Sequence, residues 1–71
     1  MKFYYYPDTD SLYIDLSERA GADSREVTDG VVADFDENGR IVGIDIDNAS
    51  KIVDLTKLEA EALPVARVSV T

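Results

Sequence analysis

The chain contains no cysteine and no histidine among its 71 residues. Without cysteine, neither a disulfide nor a thiolate metal site can staple a small fold. The commonest general base and the best nucleophile are both missing, so the composition argues against an enzyme. Basic side chains are scarce: 7 Lys and Arg stand against 15 Asp and Glu, for a net charge of −8. Nucleic-acid phosphates repel such a surface, which leaves a basic protein as the partner the charge favours. No apolar window is long enough to span a bilayer. The opening MKFYYYPDTD lacks the apolar run and cleavage site of a signal peptide. The expectation is a cytoplasmic protein with no nucleic-acid or membrane partner and no cofactor.

What remains is 45% hydrophobic, too apolar for a disordered acidic tail. A chain this short forms one domain and buries only about 60% of the surface its unfolded form exposes. Residues 1–71 are therefore read as a single small domain, expected to associate as a homodimer.

Two hairpins are legible. VVADFDENGRIVGIDI, from Val31 to Ile46, turns through Asn38-Gly39, the strongest short-range hairpin signal. With a two-residue loop, Glu37 lies opposite Arg40, Phe35 opposite Val42, Ala33 opposite Ile44 and Val31 opposite Ile46. The paired residues inside the hairpin are apolar with apolar, as a correct register requires. Asp34, Asp36 and Asp45 then share the other face. Lys2–Tyr6 and Ser11–Ser17 pair around Pro7-Asp8-Thr9-Asp10, whose proline and aspartates suit a four-residue turn. Tyr5 then faces Leu12, Phe3 faces Ile14, Lys2 lies opposite Asp15, and Tyr4 opposite Tyr13.

Between these hairpins, Ser24–Thr28 reads as a short strand entering Val31 through Asp29-Gly30. A two-residue turn sets Val27 beside Val32 and Arg25 beside Asp34; a bulge at Gly30 would shift them. Beyond Ile46 the spacing becomes helical. Thr56 with Glu59 forms a capping box, Lys57–Leu63 is expected as a helix of about two turns, and Pro64 ends it. A shorter turn is compatible with an N-cap at Asn48 or Ser50. Val65–Val70 alternates again and is expected as a last edge strand. The predicted architecture is α+β: an antiparallel sheet of four to five strands built from two hairpins, with one short C-terminal helix on one face.

Three features bear on function. DFDENGRIVGID fits the spacing of a calcium loop, which would make Asp34, Asp36, Asn38 and Asp45 oxygen ligands. The β-branched flanks favour strands over the helices that motif needs, so an acidic hairpin face is the primary reading. Weak divalent-metal or small-molecule binding, or an orphan enzyme using that face, stands as the alternative. Tyr4, Tyr6 and Tyr13 fall on one face of the first hairpin; tyrosine has an apolar body and a polar tip suited to a binding surface. Gly43, inside a strand, marks close approach by a neighbouring side chain or backbone.

MKFYYYPDTDSLYIDLS, the Glu26-Val27 to Gly30-Val31 turn and ADFDENGRIVGIDIDNASK together resemble a family of small bacterial proteins, the domain of unknown function numbered twenty-two eighty-three. That family shares the "YDP-x-x-D-x-LYI" hairpin, the "D-x-D-x-x-G-x-(I/V)-V-G-I-(E/D)-I" hairpin and a following "(D/N)-A-S". Tyr6 departs from it where Asp is usual before proline, and Asn48 stands where Asp is common. The resemblance covers Met1 to Lys51 and supplies no catalytic residue or cofactor. Some members lie beside genes for small toxin-like proteins, which implies an antitoxin-like partner role. The reading is a non-enzymatic protein-interaction module.

Overall fold

The computed structural model describes residues 1–70. Five strands, β1 (Lys2–Tyr6), β2 (Ser11–Asp15), β3 (Asp23–Thr28), β4 (Val31–Phe35) and β5 (Ile41–Ile46), precede one short helix, α1 (Ala49–Ile52). They form a single antiparallel sheet in the order β1-β2-β5-β4-β3. The first hairpin has the expected register, with Lys2 opposite Asp15, Phe3 opposite Ile14, Tyr4 opposite Tyr13 and Tyr5 opposite Leu12.

The central hairpin keeps Val31 opposite Ile46 and Ala33 opposite Ile44, but its tip differs from the expected two-residue turn. Gly39 alone there has a positive φ, of 79°, whereas the tight mirror-image turn needs two such residues. The amide of Gly39 donates to the Asp36 carbonyl at 3.0 Å, and the Asp36 amide donates to the Arg40 carbonyl at 2.8 Å. Arg40 thus lies opposite Asp36 rather than Glu37, and Phe35 pairs with Ile41 rather than Val42. A bulge then takes up Val42, and the two irregularities cancel. That is why the inner pairs match the simpler turn.

The third strand also uses a bulge, located at Val27 rather than Gly30. Thr28 pairs with Val31, Glu26 with Val32 and Arg25 with Ala33. Arg25 therefore joins the apolar face, where its guanidinium stacks 4.0 Å from the centre of the Phe35 ring. Val27 is left exposed.

The core lies on one sheet face, where Leu12, Ile46 and Ala49 are buried, with Ile14, Val31, Ile44 and Val53 packed against them. Ala33 and Val42 complete the buried apolar set. The helix that covers this face is α1, not the expected Lys57–Leu63. Asp54 holds both the amide and the hydroxyl of Thr56, so Thr56 closes a local turn instead of capping a helix. Ala62 has a φ of 53°, which breaks a right-handed helix. Seven residues form a marginal helix unless an apolar side is packed, and Leu58 is 73% exposed. Residues 65–70 form no strand either, and their side chains are exposed. No described helix is long and apolar enough to cross a membrane.

Candidate functional site

The face opposite α1 is assembled by strand parity. Tyr4 and Tyr6 on β1, Tyr13 and Asp15 on β2, Asp45 on β5, Val32 and Asp34 on β4, and Ser24 and Glu26 on β3 all project from it. Among the described residues no helix or strand covers it. Tyr4 and Tyr6 are exposed, whereas Tyr13, Asp15, Asp34 and Asp45 are half-buried.

A chain of side chains crosses four strands of this face. Tyr13 on β2 reaches over Gly43 of β5 and donates its hydroxyl to Asp34 Oδ2 on β4 at 3.2 Å. Ser24 on β3 donates to Asp34 Oδ1 at 2.6 Å. Gly43 makes the crossing possible, because a Cβ there would run into the Tyr13 hydroxyl oxygen and lie 2.8 Å from Cζ. The close approach expected of Gly43 is thus by the Tyr13 ring. Burial, followed by the hydrogen bond and charge of Asp34, raises the Tyr13 pKa above the usual 10.0. Burial likewise raises the Asp45 carboxyl above its ordinary value, with the charges of Asp47 and Asp34 adding to the effect. Crowded carboxylates in a half-buried setting favour an approaching cation.

Asp36 has a different task. Its Oδ1 accepts the amides of Asn38 and Arg40, each at 2.9 Å, and its Oδ2 accepts Arg19 Nε at 2.8 Å. Its side chain is buried, and the Arg40 amide is the largest influence holding its pKa below the usual carboxylate value. Asn38 sits at the exposed loop tip. Of the four oxygen donors in the calcium-loop spacing, Asp34 and Asp45 share the tyrosine face, while Asp36 turns inward to shape the loop. Among the described residues no group of three or more acidic side chains stands close enough together to hold a metal ion.

Sequence reasoning missed Arg19, which links the loop after β2 to Asp36 and to the Ile41 carbonyl. It also missed the contact of Asp10 with Ser50 of α1 and the part of Ser24 in the Asp34 bridge. Ser24 stands opposite Asp34 only because of the bulge at Val27; the two-residue turn would have set Arg25 there. Arg19 lies in an irregular loop with no periodic signal.

Residues 2–50, all five strands and the start of α1, match the family model described as Protein of unknown function (DUF2283). The chain belongs to the DUF2283 family. The matched region contains the whole tyrosine and carboxylate face and stops before the irregular C-terminal segment. An uncharacterised protein of Methanocaldococcus jannaschii is 39% identical over 61 residues, which span 83% of this DUF2283 chain. The same alignment covers 50% of the relative, so the chain spans about half the length of the curated relative it matches. No solved structure matches significantly.

Proposed function

We propose that this DUF2283 domain is a non-enzymatic interaction module, homodimeric, that binds a basic protein through the face bearing Tyr4, Tyr6, Tyr13, Asp15, Asp34 and Asp45. The observation that carries this reading is the open face itself. The only helix among the described residues packs on the opposite side, leaving aromatic rings interleaved with carboxylates. That combination receives Arg and Lys side chains in two ways: a ring face attracts the cation, and a neighbouring carboxylate accepts its hydrogen bonds. The net charge of −8 would hasten the encounter with such a partner. Neutralising a basic toxin-like protein is one form this role can take, as the family resemblance implies.

The test is chemical-shift mapping with an oligo-arginine peptide, using an oligo-glutamate peptide as control. The expected result is salt-sensitive perturbation concentrated at Tyr4, Tyr6, Tyr13 and Asp45, and weakened binding in Tyr6→Ser. Shifts spread evenly over all acidic residues, unaffected by Tyr6→Ser, would reject the face as a specific site.

A further inference from the structure

The sheet has two edges, β1 and β3, and they are built differently. A free edge presents unpaired backbone groups, and proteins commonly blunt such edges with charges or bulges. The β3 edge has both devices: Asp23, Arg25 and Glu26 supply charges, and the bulge at Val27 interrupts the ladder. The β1 edge, Lys2-Phe3-Tyr4-Tyr5-Tyr6, is regular over all five residues and carries one charge. All five residues are exposed. Among the described residues, the backbone bonds of β1 run to β2 and, within the turn, from the Thr9 amide to the Tyr6 carbonyl.

From this we propose that β1 is the dimer edge, pairing antiparallel with β1 of a second copy about a two-fold axis at Tyr4, so that two five-stranded sheets become one of ten strands. The inference rests on the homodimer reading above and names its surface.

The sequence of β1 is complementary to itself in this register. Tyr4 meets its own copy at the axis, Phe3 meets Tyr5 and Lys2 meets Tyr6 of the second molecule. Aromatic rings oppose one another, and the single cation lies beside an aromatic ring rather than another lysine. The two-fold relation uses the same patch on both molecules, as most small homodimers do. It also sets the two tyrosine faces side by side as one continuous surface, doubling the area offered to a basic partner. The small core leaves apolar surface to be covered at this edge, where Phe3 is 51% and Tyr5 45% exposed.

The absence of native cysteine gives a clean test. Directly opposed residues in an antiparallel pair have Cα atoms about 4.5–5.5 Å apart, within disulfide range. Under mild oxidation of the full-length protein, Tyr4→Cys is expected to form a covalent dimer at least tenfold faster than Glu26→Cys on the opposite edge. Light scattering should show a dimer for the unmodified chain. A dimer that cross-links through Glu26→Cys and not Tyr4→Cys would overturn the β1 assignment while leaving self-association intact. A monomer at every concentration would overturn both the edge pairing and the homodimer. Protection of the Tyr4→Cys thiol of that monomer from alkylation would show that the β1 edge is not open. Neither monomer result bears on binding of oligo-arginine by the tyrosine face, which peptide mapping tests separately.

Discussion

Asp10, in the turn between β1 and β2, holds Ser50 in the first turn of α1 across 40 residues of chain. Its Oδ2 accepts the Ser50 hydroxyl at 2.6 Å and its Oδ1 the Ser50 amide at 3.1 Å, while its main-chain carbonyl accepts the Ala49 amide at 2.8 Å. The residue at the helix N-cap position, Asn48, adopts a left-handed conformation and makes no side-chain cap bond. Asp10 therefore does for α1 what a cap residue ordinarily does from within the sequence. Tyr5 donates its hydroxyl to the same carboxylate at 2.8 Å, so the first hairpin and the helix are joined at one point. The joined segments are the proline turn and the Asn-Ala-Ser motif near the two ends of the family match.

Asp10→Ala is expected to lower Tm by about 5 °C, the scale of a lost helix cap in a domain of this size. The loss should fall on α1, so amide exchange at Ala49 to Val53 rises more than in β4 or β5. A uniform rise across the sheet would show that the clasp supports the whole fold rather than the helix.

Gly43→Ala is expected to destabilise by about 1–3 kcal/mol, the ordinary cost of overpacking. Tyr13→Phe, which removes one long hydrogen bond, should cost no more than about 1 kcal/mol. In a Tyr13→Ala background the added methyl group meets no ring, so the penalty of Gly43→Ala should vanish. Denaturant unfolding of the unmodified protein, Gly43→Ala, Tyr13→Ala and the double variant forms a double-mutant cycle that reads this coupling directly. Strict additivity would mean that the ring can move off Gly43 at no cost.

Acid should unfold the protein. Hydrogen bonds from the Arg40 amide to Asp36, from the Ser50 hydroxyl to Asp10 and from the Thr56 hydroxyl to Asp54 are the largest influences lowering each carboxyl pKa from 3.8. At such groups the unfolded chain binds protons more readily than the folded one. Their contribution is therefore complete above 3.8 and lost as pH falls through the lower folded-state values. Asp45 acts in the opposite sense, because burial and its acidic neighbours raise its pKa. Its contribution is present below 3.8 and lost as pH rises through the raised value. Asp45→Asn should accordingly stabilise the protein at neutral pH and steepen the acid-side decline. With no histidine, no side chain has an ordinary pKa between about pH 5 and 8. Asp45 aside, the urea midpoint should thus be nearly level across that interval. It should fall again above pH 10, where raised values at Tyr5, bonded to Asp10, and Tyr13, buried, resist ionisation in the fold.

Much of the candidate face was legible because strand parity is a local property. Once Tyr4 is set opposite Tyr13, the positions of Tyr6 and Asp15 follow, as Asp34 follows from the Val31–Ile46 hairpin. Less legible was the task of each carboxylate. Asp34 and Asp36 are two residues apart and chemically identical, yet one bridges Tyr13 and Ser24 while the other binds two loop amides and Arg19. That division depends on Gly39 adopting a left-handed turn and on Arg19 arriving from a distant loop, and neither carries a periodic signal. The helix expected at Lys57–Leu63 does not form for a related reason. A capping box and apolar spacing favour a helix only when some surface receives the apolar side, and α1 already occupies the face over Leu12 and Ile46.

By itself the sequence determined the five strands of the sheet, the two principal hairpins, their inner registers and the alternation that separates tyrosines and carboxylates from the core; the strand expected at Val65–Val70 is not among them. Turn residues and period-two patterning act over a few residues and need no knowledge of the rest of the chain. Only the tertiary structure decided that β2 pairs with β5, placing Tyr13 over Gly43 and beside Asp34. It also decided that Asp10 rather than Asn48 caps α1, and which sheet edge is left regular and open. These relationships join segments far apart in sequence, where burial and loop closure select among pairings that local patterning leaves equivalent.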